Sequence, residues 1–202
     1  MARKLTEIKR ADIIQAAKDE FRDNGFAATS MDRIAEAARV SKRTVYNHFD
    51  SKETLFKAVA QDMCNIFQRI SEHPYDVDTP LRKQLETIAQ RQMEMLCSER
   101  FLRLFKMLTA ETLASPELTG PILENMEKEN LGLIKWIRAA SKDGKLQATD
   151  PVAAGRQFMA LLEAFTSWPY LYGMERVQKM ADRQKVIDSA VDMFLGKYAV
   201  AT

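Results

Sequence analysis

Apolar residues recur along this chain at intervals of three and four, the spacing that places side chains on one face of a helix. The first such stretch predicts a helix over residues 7–24, with Ile13, Ile14, Ala17 and Phe21 inward, stopped by Asn24-Gly25. Gly25 suits the left-handed position that ends a helix. Thr29 or Ser30 then caps a short helix over 30–38 with Met31, Ile34, Ala35 and Ala38 inside. Arg39-Val40 makes a tight turn, and Ser41 caps a third helix over 42–48 whose inward positions are Val45 and Phe49. Asp50-Ser51 opens a longer helix over 52–71, with Leu55, Phe56, Val59, Met63, Ile66 and Phe67 inside.

The polar stretch His73–Pro80, with two prolines, reads as a loop. Beyond it only helices are predicted: 80–97, 99–113 and 121–141, with Pro116 and Gly120-Pro121 as interruptions and Asp143-Gly144 as a stop. Asp150 caps the next helix with Pro151 at its first position; it runs to about Trp168. A last helix over 176–197 ends at Gly196. With 46% hydrophobic residues, 7 glycines and 6 prolines, core material is ample and breakers are few, so an all-α chain follows.

A net charge of +2 gives no bulk argument for a polyanionic partner, so any such argument has to be local. Basic residues do cluster at Arg3, Lys4, Lys9 and Arg10, and again at Lys42, Arg43 and Lys52. Cys64 and Cys97 fall inside apolar helical patterns and read as buried free thiols, a redox sensor being the alternative. No apolar run reaches bilayer length and no hydrophobic stretch follows the basic N-terminus; no membrane partner, no leader and a cytoplasmic location are expected.

The third predicted helix carries the local argument. With Val45 and Phe49 inward, Lys42, Arg43, Tyr46 and Asn47 face mostly outward. Two cations, a phenol and an amide at one helix end supply phosphate clamps and base-edge readers together. Lys52 falls where helix N-terminal amides also hold a phosphate. A plain solvated helix is the competing reading. Two helices joined by a tight turn, the second presenting such a row, are how a helix-turn-helix meets the major groove of double-stranded DNA.

The order of residues goes further. Gly25-Phe26, Thr29, Ile34-Ala35, Ala38, Val40-Ser41, Thr44-Val45-Tyr46-Asn47-His48-Phe49, Ser51-Lys52-Glu53 and Leu55-Phe56 together resemble the DNA-binding signature of the TetR family of bacterial transcriptional regulators. The resemblance is strong over about the first 60 residues and rests on length and helical plan beyond them. It departs at Arg39, where the family usually has Gly, because the turn uses a left-handed residue. Arg39 as an added phosphate contact is a further possibility. The candidate DNA-binding set is Thr29, Arg33, Ser41, Lys42, Arg43, Thr44, Tyr46, Asn47, His48 and Lys52. His48 matches a phosphate-contacting position of the family's motif.

The resemblance implies a three-helix DNA-binding domain over residues 1–50 and, over 51–202, an antiparallel helical bundle that binds a ligand and dimerises, with the helix from Lys52 belonging to both. The family plan places dimerisation on the last two helices, here Leu161, Phe165, Val186, Ile187, Val191 and Phe194, and two-fold symmetry calls for a palindromic operator. The ligand implied is small and largely apolar. Met63, Phe67, Met107, Trp136, Phe158, Leu162, Phe165 and Trp168 are candidates for its pocket, and they suit an ordinary core as well. Glu111 and Glu163 interrupt apolar runs; a buried carboxylate needs a partner, such as Arg103, Arg156 or a cationic ligand, and an exposed or interface position is the alternative. No nucleophile–base pair, glycine-rich phosphate loop, metal cluster or cofactor motif stands out, and two histidines leave little for acid–base work. An enzyme is therefore not expected. The leading expectation is a ligand-released repressor; an activator or a ligand-independent regulator of the same fold is the alternative.

Overall fold

The helical period of the sequence becomes eleven helices among the described residues. The computed structural model describes residues 2–129, 132–177 and 179–200, and the side chains of these apart from residues 2–4, 71 and 123–129. Arg3 and Lys4 thus lie outside the described side chains. In chain order the helices are α1 (Ala2–Asn24), α2 (Met31–Ala37), α3 (Lys42–His48), α4 (Lys52–Ser71), α5 (Leu81–Leu96), α6 (Glu99–Ala114), α7 (Pro116–Glu129), α8 (Gly132–Lys142), α9 (Pro151–Glu163), α10 (Ser167–Leu171) and α11 (Met180–Tyr198). No strand forms among the described residues; Leu146 and Ala199 make one isolated antiparallel bridge. None of these helices is long and apolar enough to cross a membrane.

The chain divides into two compact units, Met1–Asn65 with Arg103–Glu124, and Ile66–Leu102 with Asn125–Thr202. In the first, Ile13, Ala17 and Phe21 of α1, Ile34 of α2, Val45 of α3 and Leu55, Phe56 and Val59 of α4 form one core, each fully or almost fully buried. Each large apolar side chain so buried contributes about 1.5–3 kcal/mol. Phe21, Phe26 and Phe56 close the end of this core, Phe26 meeting Phe56 edge-on at 4.8 Å. The ammonium of Lys18, itself buried, meets the Asp62 carboxylate and ties α1 to α4. Leu104 and Leu108 of α6, with Leu118 and Ile122 of α7, belong to the same core.

That packing corrects the expected break at Gly120-Pro121. Pro121 lies inside α7, although a proline there removes a backbone donor and crowds the preceding turn. The neighbouring Leu118 and Ile122 anchor the helix to the core, and Thr119, 1% exposed, joins its hydroxyl to that of Thr112 on α6. The helix expected from residue 121 thus begins at Pro116 as α7; of the expected 121–141 stretch, residues 130 and 131 lie outside the described residues, and α8 covers Gly132–Lys142.

In the second unit α5, α8, α9 and α11 surround Leu85, Ile88, Met93, Ile134, Trp136, Ile137, Phe158, Leu162, Val191 and Phe194. Asp150 caps α9 as expected, its carboxylate accepting from the Val152 and Ala153 amides at 3.0 Å each. The helix stops at Glu163, short of the expected Trp168. Continued, it would bring the Pro169 ring against the carbonyl four residues back; restarting as α10 puts Pro169 in a first turn, where no amide donor is needed. At the other end α11 runs past Gly196 to Tyr198, whose hydroxyl donates to Gln157 of α9 at 2.6 Å and whose ring packs on Phe194 at 4.9 Å.

Candidate nucleic-acid interface

The turn between α2 and α3 sets how α3 is presented. Ser30 caps α2, its hydroxyl accepting from the Arg33 amide at 3.3 Å. At the other end the Val40 amide returns to the Ala35 carbonyl and the Arg39 amide to the Glu36 carbonyl, both at 3.0 Å. This pair of bonds is a Schellman closure, which needs a left-handed residue just past the cap. Arg39 occupies it with φ of 54°, the only non-glycine with positive φ among the described residues. The turn thus keeps the left-handed geometry expected there, on an arginine. Ser41 then caps α3, accepting from the Thr44 amide at 3.1 Å, and the Ser41 and Thr44 hydroxyls pair at 2.8 Å.

Val45 and Phe49, 0% and 2% exposed, pin α3 to the core, so its outward face is fixed. Lys42, Arg43, Tyr46 and Asn47 are exposed on it, while Thr44 and His48 are half-buried beside them. Lys42 pairs with Asp32 of α2 at 2.8 Å; that carboxylate holds its ammonium above the ordinary lysine range. Arg43 and Asn47 have no partner among the described residues. Arg33, exposed on α2, pairs with Glu20 at 3.2 Å.

Two residues of the expected DNA-binding set are placed otherwise. Thr29 is 2% exposed, and its hydroxyl donates to the Gly25 carbonyl at 2.8 Å and toward the Glu20 carbonyl at 3.2 Å, closing the end of α1. Lys52, expected at a phosphate, instead donates to the carbonyls of Phe26, Thr29 and Ala27 at 2.8, 3.0 and 3.3 Å. Conversely, Arg10 of α1, which was not in that set, lies with its guanidinium 5.1 Å from the centre of the Phe49 ring at the end of α3. Its membership in the Lys9-Arg10 basic pair was the only signal in sequence.

The expected sensing residues are divided. Met63, Met107 and Glu111 are half-buried in the first unit. Phe67, Trp136, Phe158 and Leu162 belong to the core of the second, and the Trp136 indole donates to the Gln84 side chain at 2.9 Å. Phe165 and Trp168 are about half exposed, at 49% and 44%. Phe165 lines an open surface cleft of about 640 Å³ with Pro169, Met174, Arg176 and Val177. Glu163, half-buried in α9 and without a partner among the described residues, has its carboxyl pushed up to about 7 by burial. Of the expected dimer residues, Ile187, Val191 and Phe194 face the protomer's own core, 3% exposed or less; Leu161 and Val186 are half-buried and Phe165 is exposed. Cys64 and Cys97 are buried free thiols; burial raises both, Cys64 to about 11.

Comparison with known proteins bears on the whole chain. Residues 13–59 match the family described as bacterial regulatory proteins, tetR family, and residues 83–200 match the AefR-like transcriptional repressor C-terminal domain. The regulator RutR of Escherichia coli (strain K12) is 31% identical over 145 residues, 71% of this chain and 66% of RutR, so the match spans just under two thirds of that protein. A TetR family regulator of Pseudomonas syringae pv. tomato str. DC3000 is 41% identical, with a TM-score of 0.77 over 95% of this chain and 97% of that one. The flavonoid-responsive regulator FrrA is 26% identical, with a TM-score of 0.75 over 97% of this chain and all of FrrA. The chain belongs to the TetR family of DNA-binding transcriptional regulators.

Proposed function

We propose that this regulator is a homodimeric repressor that leaves a palindromic operator when a small, largely apolar molecule binds. The observation that carries the DNA-reading part is the exposed row Lys42, Arg43, Tyr46 and Asn47, on a helix capped at its start and pinned by Val45 and Phe49. Arg33, Ser41, Thr44 and His48 flank the row and Arg10 places a cation at the end of α3. The division of labour falls near Asp50, with DNA reading before it and sensing and dimerisation after it.

Repression is supported by the repressor description of the matched C-terminal domain, and release by a small molecule by the likeness to a flavonoid-responsive regulator. Self-association is supported by the second unit's surface. Phe165, Trp168, Tyr172, Met174, Met180 and Met193 are each 44–73% exposed within residues 165–193. Aromatic and methionine side chains are the residue types that surfaces covered by a partner are enriched in. Leu161 and Val186 border that stretch; Ile187, Val191 and Phe194 serve the protomer's own core. A two-fold pairing of this kind presents two α3 helices to two half-sites. The regulator acts in the cytoplasm, where its DNA is.

The test is selection from random duplex DNA with the purified full chain, repeated across salt concentrations. Enrichment of a palindrome supports the reading. Weak, salt-sensitive binding without enrichment, persisting after any co-purified small molecule is removed, overturns it.

A further inference from the structure

Lys52 is the first residue of α4, and its side chain reaches back to the segment joining α1 and α2. Its ammonium donates to the Phe26, Thr29 and Ala27 carbonyls at 2.8, 3.0 and 3.3 Å and lies 4.4 Å from the centre of the Phe26 ring. A lysine ammonium has three protons to donate, and all three have acceptors here. The acceptors belong to a segment whose own side chains are equally committed. The Phe26 ring packs against Phe21 and Phe56, and the Thr29 hydroxyl closes the end of α1. Ser30 follows at once as the cap of α2. The carbonyl of Thr29, held by Lys52, is thus one residue from the cap of the helix whose far end sets α3.

We infer that Lys52 is a positioning residue for DNA reading, not a phosphate clamp. It holds the entry to α2, and through α2 the angle of α3, by tying the 26–29 segment to the start of α4. The inference rests on α3 being the reading helix. To reach a phosphate the ammonium would have to leave three carbonyls and an aromatic face, each of which gains from its positive charge. A phosphate clamp acts alike on every DNA sequence, because phosphates carry no sequence information. A positioning residue acts on sequence discrimination, because base edges are read only by side chains held in register.

The experiment compares wild type with Lys52→Met, using two probes: the duplex that wild type enriches from a random pool, and random-sequence duplex of equal length. The variant is expected to lose about tenfold in the ratio of selected to random affinity, roughly the discrimination carried by one base pair. The slope of log affinity against log salt should stay as in wild type. A slope shallower by about 0.9 with an unchanged ratio is the signature of a lost phosphate contact and overturns the inference. An unchanged ratio and slope with a lower Tm shows a residue that only stabilises the fold, and overturns it too.

A second measurement needs no variant. Lysine acetylation of wild type, read by mass spectrometry with and without the selected duplex, is expected to find Lys52 slow in both states, while Lys42 is fast alone and protected on DNA. Lys52 fast alone and protected on DNA overturns the inference. If wild type selects no duplex, the reading of α3 has failed, whereas acetylation of the free protein still tests whether the Lys52 ammonium is held.

Discussion

Glu163→Gln tests whether a half-buried carboxylate without a partner burdens the fold. In the folded chain burial pushes its carboxyl from an ordinary value near 4.5 to about 7. A carboxyl that keeps its proton in the folded state after the unfolded chain has lost it makes stability fall as pH rises. The fall begins near the unfolded value, ends near the folded one and is flat on either side. A tenfold difference in acid strength between the two states corresponds to about 1.4 kcal/mol, so the loss from below 4.5 to above 7 reaches up to about 3 kcal/mol. Glutamine has no such titration. All other groups are common to both proteins, so the difference between variant and wild type isolates this one. Urea unfolding at a series of pH values measures it. The variant's relative stability should rise through the window between 4.5 and 7 and level off above it, whatever constant offset the amide brings. Parallel profiles across the window would show that Glu163 ionises as a solvated carboxylate does, and would sink the argument. DNA affinity without ligand should be unchanged in the variant, with any effect confined to the response to ligand.

Replacing Lys42 and Arg43 together with Ala should weaken DNA binding and make its salt dependence shallower by about 2, at about 0.9 per phosphate contact, with helicity and self-association intact; an unchanged slope and affinity would remove both from the interface. Arg39→Gly relieves a left-handed arginine worth about 1–2 kcal/mol of strain while adding about 0.4–1 kcal/mol of unfolded-state entropy, so it should be more stable than Arg39→Ala by up to about 1.6 kcal/mol in urea unfolding. An alanine variant as stable as the glycine one would show that the turn relaxes. Thr29→Val deletes a buried donor and should cost about 1–2 kcal/mol with no change in the salt slope of DNA binding, whereas Thr29→Ser keeps the hydroxyl and most of the stability. A shallower slope in Thr29→Val would return that residue to the DNA surface.

Helix α3 was legible in sequence to the residue. Ser41 is a good cap, Val45 and Phe49 lie one turn apart, and the α3 bounds Lys42–His48 follow from those local facts. The same holds for Asp150 and Pro151 at the start of α9 and for Lys52–Ser71 as α4. Arg39 is a middle case. The turn demands a left-handed residue by its bond pattern, and the chain accepts the strain on an arginine. The breakers misled, because Pro121 and Gly196 carry local penalties that neighbours outweigh: Leu118 and Ile122 for α7, Tyr198 for α11.

What the sequence determined by itself, then, is what neighbours three or four residues apart decide: helix period, caps, and which face of α3 turns outward. Which polar residues remain free for a partner was decided only by tertiary structure. Thr29 and Lys52 are polar and lie at the ends of elements, as contact residues do, yet their hydrogen bonds go to carbonyls that folding brings within reach, 23–26 residues away in the case of Lys52. Ile187, Val191 and Phe194 show the same limit for apolar residues. A helical stripe announces that it will be buried, but its own core and a second subunit are chemically alike, and only the packing of α11 on α5 and α9 chooses the former.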